Sequence, residues 1–182
     1  MKILTKIALT VATAISLAVG AQAQTTTFNW NFNDLDGIYD GGTPVNFSIS
    51  ALTAVNSTLL FNTTSPSNYT GASGGGNASV SAKSGALNLA KSTYFTFSLT
   101  PSASYAINSI AFSLGSRSTG SGPILLTLFS STDGFATPLA TTASPNDSSW
   151  NLCSFTFSNT GATNAPFEFR LYGSGGNSTS SN

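Results

Sequence analysis

STYFTFSLTPSASYAINSIAFSLGSR, residues 92–117, decides the fold class. In its first half Phe95, Phe97 and Leu99 alternate with Thr96 and Ser98; in its second half Ile110, Phe112 and Leu114 alternate with Ala111 and Ser113. A period of two carried by aromatic and β-branched residues turns one side of each segment to a core and the other to solvent, the pattern of a half-buried strand. Pro101 has no N–H to give to a ladder, so Pro101-Ser102-Ala103-Ser104 reads as the turn between them. The expectation is a pair of strands joined by this turn in the middle of a sheet.

The alternation recurs on either side. Phe28-Asn29-Trp30-Asn31-Phe32-Asn33 sets aromatics on one face and asparagines on the other, Val45, Phe47 and Ile49 suggest a second strand, and Leu59-Leu60-Phe61 a third. Residues 62–84, rich in Ser, Thr, Gly and Asn, read as a flexible loop, followed by a weak strand around Leu87 and Leu89. The apolar run at 124–129 suits a strand buried on both faces, and Ser131-Thr132-Asp133-Gly134 a turn. Residues 152–157 and 167–172 supply two more strands, the last with Phe167, Phe169 and Leu171 inward and Glu168 and Arg170 sharing the outer face. Beyond the N-terminus no segment has a helical period. The prediction is an all-β chain forming a single antiparallel β-sandwich of jelly-roll type.

At the N-terminus Lys2 and Lys6 precede an apolar run from Ile7 to Val19, and Ala21-Gln22-Ala23 offers small residues for cleavage. This is the three-part pattern of a secretory signal helix, removed in the mature protein. The expected organisation is a signal peptide at 1–23, a sandwich domain at 24–176 and a disordered or truncated tail at 177–182. The apolar run is too short to span a bilayer, so no membrane span is expected after cleavage, and the location is secreted or cell-envelope, of bacterial type. Loss of Lys2 and Lys6 leaves Lys83, Lys91, Arg117 and Arg170 against six acidic residues. Four scattered cations cannot neutralise a phosphate backbone, which argues against nucleic acid. Disorder is excluded as well: 13 Phe, 2 Trp and 40% hydrophobic residues suffice for a core although only 7% of residues are charged.

With no histidine in the chain, the usual serine triads are ruled out. A glycosidase needs two carboxylates a few ångströms apart, yet Asp133 and Asp147 stand in turn contexts and Glu168 has Arg170 beside it. No catalytic residue and no enzyme activity are therefore expected. Cys153 is the single cysteine, which excludes an internal disulfide and a multi-thiolate metal site; it shares a face with Phe155 and Phe157 and reads as a core thiol. In Asp34-Leu35-Asp36-Gly37-Ile38-Tyr39-Asp40-Gly41-Gly42 the carboxylates of Asp34, Asp36 and Asp40 are oxygen ligands of the kind calcium takes, whereas the closing Glu of a twelve-residue calcium loop is missing; a solvated turn is the favoured reading and no other cofactor is implied. Trp150 and Tyr172, with Tyr39 and Tyr69, are the aromatic candidates for a carbohydrate platform, with a core anchor the weightier reading for Trp150.

Several stretches together resemble a family of secreted bacterial β-sandwich proteins that often carry a C-terminal PEP-CTERM sorting signal: residues 94–101 (YFTFSLTP), 110–114 (IAFSL), 117–123 (RSTGSGP), 130–135 (SSTDGF) and 167–173 (FEFRLYG). The resemblance covers roughly residues 25–176. In such proteins a further strand and then the sorting segment follow, and neither is present here, which fits a truncated sequence. The resemblance implies an exported envelope or matrix protein with a structural or adhesive role and no catalytic residues to carry over. A carbohydrate-binding module of jelly-roll type is the alternative, and the partners to expect are extracellular polysaccharide or other surface proteins.

Overall fold

The computed structural model describes residues 5–8, 15–19, 22–26, 29–40, 44, 46–103, 105–163 and 165–177. Along the chain the strands are β1 (Thr5–Ala8), β2 (Ile15–Val19), β3 (Gln22–Thr26), β4 (Phe47–Ile49), β5 (Thr53–Val55), β6 (Leu60–Asn62), β7 (Asn77–Val80), β8 (Tyr94–Pro101), β9 (Ile107–Arg117), β10 (Leu125–Ser130), β11 (Ala140–Ala143), β12 (Asn151–Thr163) and β13 (Phe167–Ser174), with one 3₁₀ turn at Ser131–Asp133. They form two antiparallel sheets. One runs β3-β2-β9-β1-β7-β6 with β12 also on β9, and the other runs β11-β10-β13-β8-β4 with β5 also on β8. The all-β expectation holds.

Residues 92–117 do supply two central strands, but not a hairpin. β8 pairs with β13 in one sheet, Phe169 opposite Phe97, while β9 pairs with β12 in the other, Phe155 opposite Phe112. The chain turns the corner between sheets, where Ser102 N–H donates to the Asn46 carbonyl and Tyr105 N–H to Ser102. A hairpin would lay the two apolar faces side by side on one surface. Placing them in opposite sheets lets each cover the other, and Phe97 meets Phe112 edge-on at 6.2 Å.

The core between the sheets is aromatic. Phe97 stacks on Phe169 at 5.2 Å and takes Trp30 edge-on at 5.1 Å, while Phe112 lies 5.2 Å from Phe155. Phe167, Phe169 and Leu171 of β13 point inward as expected, and in β10 residues 126–130 are buried on both faces. Cys153 is buried beside Phe155, its thiol donating to the Ala143 carbonyl, and burial pushes it up to about 11.

Two expectations need correction. Trp30 and Phe32 are buried at 0% and 1% exposure, as their alternation requires, yet 29–32 is not a strand. Phe32 sits at φ 55°, and Asp40 takes the Asn31 and Phe32 N–H groups that a neighbouring strand would have used. Neither Leu87 nor Leu89 is in a strand; the strand of this region is β7, half polar in sequence but fully buried and flanked by β1 and β6. β5 and β11 had no apolar alternation to announce them; both are short ladders on strands that already have a partner. Within the segment expected as a signal peptide, β1 and β2 lie antiparallel to β9, where its backbone edge offers the Ile- and Val-containing run a ladder. The tail from 178 lies outside the described residues.

Candidate functional site

The loop at 29–40 gathers most of the sequence's candidate polar groups on one side of the molecule. It is fixed from beneath: the Trp30 indole N–H donates to the Gly37 carbonyl at 3.0 Å, Leu52 N–H donates to the same carbonyl at 2.8 Å, and Asp40 N–H reaches Asn29. A Cβ on Gly37 would run into the Leu52 carbonyl, so the close approach needs glycine there. Above these bonds an open cleft of about 590 Å³ is lined by Asn31, Asp34, Asp36, Ile38, Tyr39 and Asp40.

Asp34, Asp36 and Asp40 are thus brought to one cleft, but two of them already serve the backbone. Asp40 Oδ2 accepts from Asn31 and Phe32, and Asp36 Oδ1 accepts from Ile38 N–H at 2.8 Å. Among the described residues no group of three or more His, Cys, Asp or Glu is placed to hold a metal ion. Ile38, 63% exposed, and Tyr39, packed edge-on against Trp30 at 6.4 Å, add an apolar side to the acidic rim. Burial raises the Tyr39 phenol above its ordinary value. Such a cleft offers carboxylate and amide acceptors to hydroxyl or cationic groups, and a small apolar patch beside them.

The two aromatic candidates are elsewhere and do not present ring faces. Trp150 is 8% exposed, at the entrance to β12, and Tyr172 is 1% exposed. Tyr172 belongs to a second cluster on the outer face of its sheet, with Tyr94 at 4.6 Å, Phe129 at 5.5 Å, and Leu87 and Phe135 packed against them. Its hydroxyl donates to the Leu89 carbonyl at 3.3 Å, and burial raises its pKa. Arg170 caps this cluster, its guanidinium 3.6 Å from the Phe135 ring centre and 2.7 Å from Glu168 Oε1. Glu168 also accepts from Thr96. The same-face ion pair of the sequence reading is therefore present, with an aromatic floor that the spacing did not announce. Tyr94 and Tyr172 stand directly opposite each other across the β8–β13 ladder, a register that only the folded chain supplies.

Phe135 reaches Arg170 through a conformation few residues adopt. Gly134 ends the 3₁₀ turn at φ 71° and Phe135 follows at φ 63°. Asp133 holds that turn by accepting from Ala136 N–H, Thr137 N–H and the Thr137 hydroxyl, which lowers its pKa. Asp147 likewise accepts from Ser149 N–H.

Among the described residues no helix is long and apolar enough to cross a membrane. No protein-family model matches the chain, and no curated protein or solved structure matches it either.

Proposed function

We propose that the protein is an exported, non-catalytic component of the bacterial cell envelope or extracellular matrix, structural or adhesive in role, with a jelly-roll connectivity. One observation carries the non-catalytic part. Of the six carboxylates, Asp36, Asp40, Asp133 and Asp147 accept backbone N–H bonds and Glu168 is paired with Arg170, so their placement is accounted for by the fold. Asp34, Asp36 and Asp40 do share a cleft, but Asp36 and Asp40 each give an oxygen to backbone N–H groups there, whereas a general acid–base pair keeps its carboxyl groups available to a substrate. The leader pattern at 1–23 supports export, and the low charge supports a surface of hydroxyl and amide groups suited to packing among other surface molecules.

A second reading, a carbohydrate-binding module, is favoured by the cleft at 29–40, since aspartate, asparagine and a tyrosine around a small apolar patch are the groups that bind sugar hydroxyls and ring faces. The cleft is also where calcium would act, through Asp34 and the remaining oxygens of Asp36 and Asp40. Pull-down of the purified mature chain on insoluble polysaccharides, with calcium and with chelator, separates the readings. Retention lost in Tyr39→Ala establishes the module, and retention lost with chelator assigns calcium to the loop. A folded chain that passes through every matrix leaves the structural role standing.

A further inference from the structure

In the full chain β1 fills an interior place in its sheet. On one side Thr5, Lys6 and Ile7 pair with Val80, Ser79 and Ala78 of β7, and on the other Lys6, Ile7 and Ala8 pair with Arg117, Ser116 and Gly115 of β9. The other neighbour of β7 is β6, and the far side of β9 is taken by β12. Scission after residue 23 would remove β1 and β2 and leave two backbone edges facing each other across the width of one strand, about 9.6 Å for two ladder spacings. Unpaired N–H and C=O groups along such edges recruit an extended segment.

The same cut releases a strand. Gln24, Thr25 and Thr26 of β3 are paired with Leu17, Ser16 and Ile15 of β2, and that partner leaves with the leader. β3 runs parallel to β9, since each is antiparallel to β2, whereas β1 is antiparallel to both walls of its place. To fill that place within its own molecule the arm would have to reverse the direction it has beside β2, although only three residues separate it from Trp30, which is held by its bond to Gly37. An arm from a second molecule meets no such restriction. Its threonines are β-branched and suit a ladder.

We propose that mature chains link by strand exchange, the N-terminal arm beginning at Gln24 of one copy occupying the place between β7 and β9 of the next. The inference rests on the export reading above and gives the structural role a means of assembly. Arm and slot are different surfaces, so the contact is head-to-tail and extends into a polymer unless the rotation closes a ring.

The test uses protein recovered from the culture medium of expressing cells. Intact mass establishes whether the leader has been removed, and size exclusion with light scattering gives the assembly state. The expected result is a cleaved chain forming multimers, dissociated by excess synthetic peptide spanning residues 3–10, and weakened by about tenfold or more in Thr25→Pro/Thr26→Pro, which removes two ladder donors. Peptide competition on the unsubstituted chain keeps the test independent of how the proline variant folds. A cleaved chain that is monomeric, or multimers indifferent to both peptide and prolines, overturns strand exchange while leaving export intact. A chain retaining its leader overturns the export reading and the slot together.

Discussion

Phe97→Ala is the substitution that most directly probes whether β8 and β9 face each other across the core. Phe97 is 6% exposed and its ring meets Trp30, Phe112 and Phe169 at 5.1, 6.2 and 5.2 Å. Truncating such a side chain removes its transfer energy and leaves a cavity between sheets that cannot collapse freely, at a cost of about 3–5 kcal/mol. A domain of this size has a total stability of about 5–15 kcal/mol, and its Tm falls by about 2–4 °C per kcal/mol, so a drop of about 6–20 °C is expected. Urea unfolding followed by tryptophan fluorescence gives the energy, with Trp30 as a reporter in the same cluster. The decisive quantity is the coupling between Phe97→Ala and Phe112→Ala, whose rings belong to different sheets. Aromatic neighbours couple by about 0.5–1.5 kcal/mol. Additivity within about 0.3 kcal/mol would refute the apposition of the two strands, because residues without a shared contact add.

Three further outcomes follow from the geometry. Glu168→Gln should cost under about 1 kcal/mol, since the ion pair is partly exposed, whereas Arg170→Ala should cost more because it also uncovers the Phe135 ring; urea midpoints at low and high salt separate the two, and equal losses would contradict the stacking. The Cys153 thiol should resist a thiol-specific reagent at pH 8 in the native state and react on denaturation. Because burial holds its folded pKa at about 11, above the ordinary value of 9.0, the unfolded chain loses that proton first, and stability should fall as pH rises from 9 toward 11, less so in Cys153→Ala. Gly76→Ala should destabilise by about 1–3 kcal/mol, since a Cβ there meets the backbone carbonyls of both Phe32 and Asn62; thermal unfolding checks it, and an unchanged Tm would contradict the packing of 29–32 on the start of β7.

Period-two patterning made the long strands legible from sequence. β8, β9, β10, β12 and β13 each carry it, or a continuous apolar run, over six residues or more. Glu168 and Arg170, two apart on one strand, had to share a face, and Cys153 had to accompany Phe155 inward. Those conclusions depend only on the alternation of side chains along an extended backbone. The short ladders were not legible, because three or four residues carry too little pattern and their partners supply what holds them.

The candidate site divides the same way. That Asp34, Asp36 and Asp40 lie close together follows from their spacing, and the absence of histidine narrows the chemistry, both properties of the chain alone. Which of their oxygens serve the backbone is a tertiary fact, set when Phe32 turns to φ 55° and presents its N–H and that of Asn31 to Asp40. So is the burial of Tyr172, which its polar-face position did not reveal until Leu87, Phe129 and Phe135 closed over it. Alternation tells which residues share a face of one strand, since that is local geometry. Only the folded chain decides what covers that face, because the covering residues arrive from distant sequence and compete for it through burial.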